Sequence, residues 1–142
     1  MSRRFVVGLV EEIPPGTMKV VYPGRDKAGI GVFNVGGEFY ALRNFCPHMG
    51  APLCQGVITG MSVTKQRDDG GLAVEWIRDG EVIICPWHHW EFDIETGRTI
   101  FPSPNRVRSY PVGIDQHVAD MDVEVDTYPV SVERATVFLE LN

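Results

Sequence analysis

Two short runs hold the residues best suited to bind metal: Cys46-Pro47-His48 and Cys85-Pro86-Trp87-His88. Each run supplies one thiolate and one imidazole, at the spacings C-x-H and C-x-x-H. Thiolate suits zinc and iron–sulfur clusters, and imidazole suits either metal, so the ligand types alone do not choose. Zinc fingers commonly pair Cys with Cys and His with His, at wider intervals. Mixing the two within each run is what a two-iron cluster with one Cys₂ iron and one His₂ iron requires, so the spacing favours a [2Fe–2S] cluster over zinc.

The rest of the chain narrows the setting. Its 142 residues fit one domain, and an apolar fraction of 44% is enough for a real core. The formal charge of −6 argues against a nucleic-acid partner, which would want a basic face. Three cysteines are an odd number and too few for a disulfide framework. The longest apolar stretches run to about four or five residues, far short of a membrane span. Arg3-Arg4 resembles the head of a twin-arginine export signal, but Glu11-Glu12 and Pro14-Pro15 interrupt the apolar run behind it. The expectation is a cytoplasmic protein beginning on a β-strand.

Short strands with turn signals at close intervals predict an all-β fold of stacked antiparallel sheets. Phe5–Val10 reads as a strand, closed by the Pro14-Pro15-Gly16 turn, and Met18–Tyr22 follows. Gly36-Gly37 predicts a hairpin between Ile30–Val35 and Glu38–Leu42. Asp79-Gly80 predicts a second, between Ala73–Ile77 and Glu81–Ile84, and Thr96-Gly97 a third, between Glu91–Ile94 and Arg98–Ile100. A final hairpin is expected from Pro129–Val132 and Thr136–Leu141 about Glu133-Arg134. Thr64–Gly71 reads as an exposed polar loop and residues 113–127 as an insertion. The tripeptide Tyr-Pro-Val occurs at 110–112 and 128–130, which chance explains nearly as well as a duplication.

Cys46-Pro47-His48-Met49-Gly50-Ala51-Pro52-Leu53 and Cys85-Pro86-Trp87-His88-His89-Trp90-Glu91-Phe92-Asp93 resemble the two boxes of Rieske proteins. Pro102-Ser103-Pro104 resembles the proline loop that covers the cluster in that family. The resemblance implies one domain over 1–142, with a cluster-binding subdomain at about 44–104 formed by two loops. It implies one Rieske [2Fe–2S] cluster, with the inner iron on Cys46 and Cys85 and the outer iron on His48 and His88. Two features depart from the family: 36 residues lie between His48 and Cys85, read as a long inter-knuckle hairpin at about 61–84, and 113–127 is extra.

Other residues are weighed against these. The C-x-x-H spacing favours His88 over His89 as ligand, and His89 takes a place often filled by Gly. Cys54 has no partner cysteine and reads as a small buried apolar residue. Trp90 and Phe92 stand where high-potential family members carry hydroxyl donors, so a low potential is expected. Trp87 and Trp90 divide evenly between docking and packing. Met121–Asp126 alternates apolar and acidic residues as a half-exposed strand would, more simply a solvated face than a steering surface. His117, near Asp115 and Asp120, reads as a surface histidine.

Four histidines, two of them cluster ligands, leave His89 and His117; His89 adjoins the cluster and cannot serve a distant site, so the mononuclear iron triad of an oxygenase cannot be filled. The G-x-G-x-x-G fingerprint of a nicotinamide or flavin site is missing too. The expectation is a one-electron carrier, not a stand-alone enzyme, between a reductase and an oxygenase or similar terminal enzyme. The alternatives are a fixed subunit of a larger oxidoreductase, of the nitrite-reductase small-subunit type, and a cluster-based redox-sensing module.

Overall fold

The computed structural model describes the backbone of residues 3–125 and 128–141, and the side chains of 3–116 and 135–141. Among the described residues ten strands run in order: β1 (Arg3–Leu9), β2 (Met18–Val21), β3 (Ile30–Val35), β4 (Glu38–Arg43), β5 (Val57–Gln66), β6 (Leu72–Ile84), β7 (Glu91–Asp93), β8 (Ser109–Tyr110), β9 (Val112–Val125) and β10 (Tyr128–Leu141). They form three antiparallel sheets, ordered β1-β10-β9, β2-β3-β4-β8 and β5-β6-β7. Among the described residues no helix is long and apolar enough to cross a membrane.

The second sheet is the middle layer, as the period-two alternation of its strands shows. Met18, Val20, Phe33, Val35, Tyr40 and Leu42 face one core, shared with Leu53, Ile83, Phe92, Ile94, Cys46 and Cys85. Val21, Ile30, Val32, Phe39 and Ala41 face the other, against Val7, Val137, Leu139 and Leu141 of the β1-β10-β9 sheet. β3 is therefore buried from Ile30 to Asn34 and reads as an almost unbroken apolar run. The Gly36-Gly37 hairpin forms as expected, pairing Ile30 with Arg43 through Val35 with Glu38. The Thr96-Gly97 turn forms too, with Asp93 N–H donating to the Arg98 carbonyl at 2.8 Å.

Two expected hairpins do not form as written. Asp79-Gly80 lies inside β6, and Ala73–Ile77 pairs with Met61–Lys65 of β5 instead. Glu81–Ile84 is needed elsewhere: Val82, Ile83 and Ile84 bond to Asp93, Phe92 and Glu91 of β7 on one side and to Thr59, Ile58 and Val57 on the other. The turn-like residues form a bulge, with Arg78 at φ 56° and Gly80 at φ 82°. Gly60 lies opposite, where a Cβ would press on the Ile77 carbonyl and the Asp79 backbone. The true turn lies at 67–71, where Arg67 N–H donates to the Gly71 carbonyl at 2.7 Å. Thr64–Gln66, expected as loop, extends β5 instead.

In the same way Glu133-Arg134 falls within β10, paired with Val118 and His117. Most of the supposed insertion is β9, which runs beyond the part of β10 that pairs with β1. The two Tyr-Pro-Val copies stand at opposite ends of that hairpin. The side chains of His117, Asp120 and Met121–Val125 lie outside the described residues, as does Asp126 altogether, while Asp115 pairs with Arg4 at 3.2 Å.

One buried amide fastens the turn of the middle sheet to the segment before β2. Asn34 Nδ2 donates to the Ile13 carbonyl at 2.7 Å, and its Oδ1 accepts from Gly37 N–H at 2.8 Å. Asn34→Ala would leave the fully buried Ile13 carbonyl unpaired. The expected loss is about 1–3 kcal/mol, read as a lower urea midpoint with unchanged slope.

Candidate metal centre

The two knuckles leave the ends of neighbouring elements, the first after β4 and the second between β6 and β7. They share one backbone design. In the first, Cys46 N–H donates to the Ala51 carbonyl at 2.9 Å and Gly50 N–H donates back to the Cys46 carbonyl at 2.8 Å. In the second, Cys85 N–H donates to the Trp90 carbonyl at 2.8 Å and His89 N–H to the Cys85 carbonyl at 3.1 Å. The residue four places after each cysteine is left-handed, Gly50 at φ 76° and His89 at φ 59°. Histidine tolerates this region better than most side chains. His89 thus occupies a glycine-like position, as the sequence suggested, and is exposed.

Small residues and a buried amide hold the knuckles together. Gly56, which follows the first knuckle, packs on the Ile84 carbonyl so closely that a Cβ would collide with it. The chain leaving the first knuckle therefore presses on the residue just before Cys85. Asn44 fixes the base: its N–H donates to the Gly29 carbonyl at 2.9 Å and its Oδ1 accepts from Cys54 N–H at 2.7 Å.

This framework sorts the four candidate ligands into two pairs. Cys46 and Cys85 are 1% and 0% exposed. Burial pushes the Cys46 thiol up, the backbone N–H groups of His48 and Met49 pull it back, and the adjacent Cys85 sulfur raises it again. His48 and His88 are exposed, with ring centroids 4.5 Å apart at 76°. Of the two adjacent histidines, His88 is the one whose ring lies edge-on against that of His48.

The donor set fits a two-iron cluster. Two buried sulfurs ionise together only with positive charge between them, and the amides aimed at Cys46 suit a sulfur that stays anionic. The donors come as one sulfur pair and one imidazole pair, as two irons require.

Comparison with known proteins agrees with this geometry. The description of the Rieske [2Fe–2S] domain matches residues 3–111. The chain belongs to the Rieske [2Fe–2S] family. It is 30% identical over 98 residues to the 3-phenylpropionate/cinnamic acid dioxygenase ferredoxin subunit of Escherichia coli K12, covering 68% of this chain and 71% of that one. The solved ferredoxin of Sphingomonas yanoikuyae B1 is 28% identical, with a TM-score of 0.56 over 80% of this chain and 91% of that one. A structure described as an NADH-dependent nitrite reductase small subunit from Mycobacterium tuberculosis shares the fold at 14% identity, with a TM-score of 0.59 over 100% of this chain and 97% of that one. Membership brings one Rieske-type cluster as cofactor and electron transfer as function.

Sequence reasoning brought together the four candidate ligands but missed what surrounds them. Asn44 and Gly56 carry no motif signal. The shared four-residue offset of Gly50 and His89 was legible from the alignment of the two cysteines. Cys54 is 2% exposed and carries no disulfide, with its sulfur against Gly31, as a small core residue would sit.

Burial pushes the Cys54 thiol up to about 12 from its ordinary 9.0, only partly offset by a bond with the Gly31 backbone. Its folded pKa is raised, so its contribution to stability is whole below about pH 9 and is lost as pH rises from about 9 to about 12. Urea midpoints taken across that range should fall more steeply for the wild type than for Cys54→Ala.

Proposed function

We propose that Cys46 and Cys85 hold the inner iron of the cluster and His48 and His88 the outer iron. The observation that carries this reading is the division of the site into a buried sulfur pair and an exposed pair of facing imidazoles. When bound, the cluster supplies one-electron chemistry, cycling between a diferric and a ferric–ferrous state. Cys46 and Cys85 anchor it in the core, where the backbone amides of His48 and Met49 offset the charge on Cys46. His48 and His88 put the path for the electron at the surface.

The chain then takes an electron from a reductase and passes it to a terminal oxygenase or similar enzyme in the cytoplasm. Two likenesses support these partners: the named dioxygenase ferredoxin subunits, and a solved complex of reduced oxygenase and oxidised ferredoxin in carbazole 1,9a-dioxygenase. The latter is 26% identical, with a TM-score of 0.58 over 78% of this chain and 93% of that one. A fixed subunit of a larger oxidoreductase is the second reading, motivated by the end-to-end likeness to the nitrite reductase small subunit. Stable co-purification with a large partner would favour it.

Protein purified anaerobically and reduced with dithionite should give a rhombic EPR signal, at a lower average g than all-cysteine clusters. A colourless protein with zinc and no iron would overturn the assignment. The midpoint should fall toward the low end of roughly −150 to +300 mV, because Trp90 and Phe92 offer the sulfurs no hydroxyl. A midpoint well above zero contradicts that. His88→Cys should lower the potential toward the roughly −400 mV of plant-type clusters and raise the average g. An unchanged potential and g would remove His88 from the site.

A further inference from the structure

Trp90 lies flat on His48, with ring centroids 4.3 Å apart and planes 11° from parallel. Its own position is fixed on several sides. Phe101 meets the indole edge-on at 5.2 Å and 88°, and Phe92 lies tilted at 6.3 Å. The Trp90 carbonyl closes the second knuckle, and the side chain packs on the core that holds Cys46 and Cys85. Trp87 is different: 56% exposed, with no ring partner among the described residues. The two tryptophans that the sequence left equal are therefore not equivalent.

From this geometry we infer that Trp90 is the positioning residue for His48, fixing the rotation of its imidazole and keeping water from one face. The inference rests on the reading that His48 is a ligand of the outer iron. His48 sits on an exposed loop beside Met49, itself 62% exposed. The second side-chain torsion of a histidine is broad and roughly two-fold, so the loop alone does not choose a ring plane. A flat aromatic partner does, because rotation of the imidazole gives up the stack. His88 then closes on His48 at 4.5 Å, nearly perpendicular.

The shared knuckle design shows why only one side is built this way. Trp90 stands five places after Cys85, where the first knuckle has the fully buried Ala51 five places after Cys46. Alanine fills its own loop and stops. Tryptophan reaches across to the ligand of the other knuckle, and Phe101, next to the proline loop, buttresses it. Among the described residues His88 stacks on no indole, so the two imidazoles have different surroundings.

Reduction adds one negative charge to the site, and water stabilises that charge. A ring that excludes water from His48 favours the oxidised state, and a ring that fixes His48 narrows the spread of its orientations.

The test compares the iron-loaded wild type with Trp90→Ala, Trp90→Phe, Phe101→Leu and Trp76→Ala, by redox titration and EPR. Trp90→Ala should shift the midpoint upward and broaden the rhombic lines, while Trp90→Phe stays near wild type in both. Phe101→Leu keeps the indole but removes its buttress, so it should move both readings the same way by less. It also carries the test if Trp90→Ala does not assemble. Trp76, on the β5–β6 hairpin and without a ring partner among the described residues, is the control for losing an exposed indole and should change neither reading. If Trp90→Ala or Phe101→Leu holds its cluster with the wild-type midpoint and line widths, the inference falls and the ligand assignment stands. If the wild type itself gives no rhombic signal, the ligand assignment falls and takes the inference with it.

Discussion

Everything at the functional end of this molecule depends on two sulfurs held side by side in a dry core. Cys46 and Cys85 come from different loops and are almost fully buried. Two thiolates there would repel each other strongly in a low-dielectric surrounding, so the arrangement is stable only with protons or iron between them. The amides of His48 and Met49 beside the Cys46 sulfur lower that cost, as hydrogen bonds to ligand sulfur do in iron–sulfur proteins.

The rest of the fold holds that pair in place. The middle sheet offers Phe33 and Leu42 to the core beneath the sulfurs and Val32 and Ala41 to the core behind, so it ties the site to the base of the molecule. Gly56 against Ile84 sets how near the loops approach, and Asn44 holds the first loop to the end of the segment before β3. Along the β5–β6 hairpin, Arg78 spans the bulge, with Nη2 donating to Asp93 at 2.6 Å. The extra length between the knuckles is thereby anchored to β7 and leaves the loop ends undisturbed.

The Rieske family and the all-β class were legible because both rest on short-range signals: mixed Cys/His spacing, and Gly-Gly or Thr-Gly turns between apolar runs. What misled was equally local. Asp79-Gly80 and Glu133-Arg134 have turn chemistry, but Glu81–Ile84 must bond on both sides and Glu133-Arg134 must face β9, so tertiary pairing overrides the turn. The roles of Asn44, Gly56 and Trp90 depend on contacts across loops, and no periodicity in a single chain encodes those.

The pairing of β1 with β10 has a consequence for how the molecule assembles. Arg3 bonds opposite Leu141 and Leu9 opposite Thr136, so β1 waits for β10. Closing so long a loop is entropically unfavourable until other contacts have drawn the ends together. The middle sheet, both knuckles and β5–β7 all lie between those ends and pair among themselves. During synthesis, the half of the molecule that carries both knuckles is therefore complete in sequence before the base sheet, which closes last.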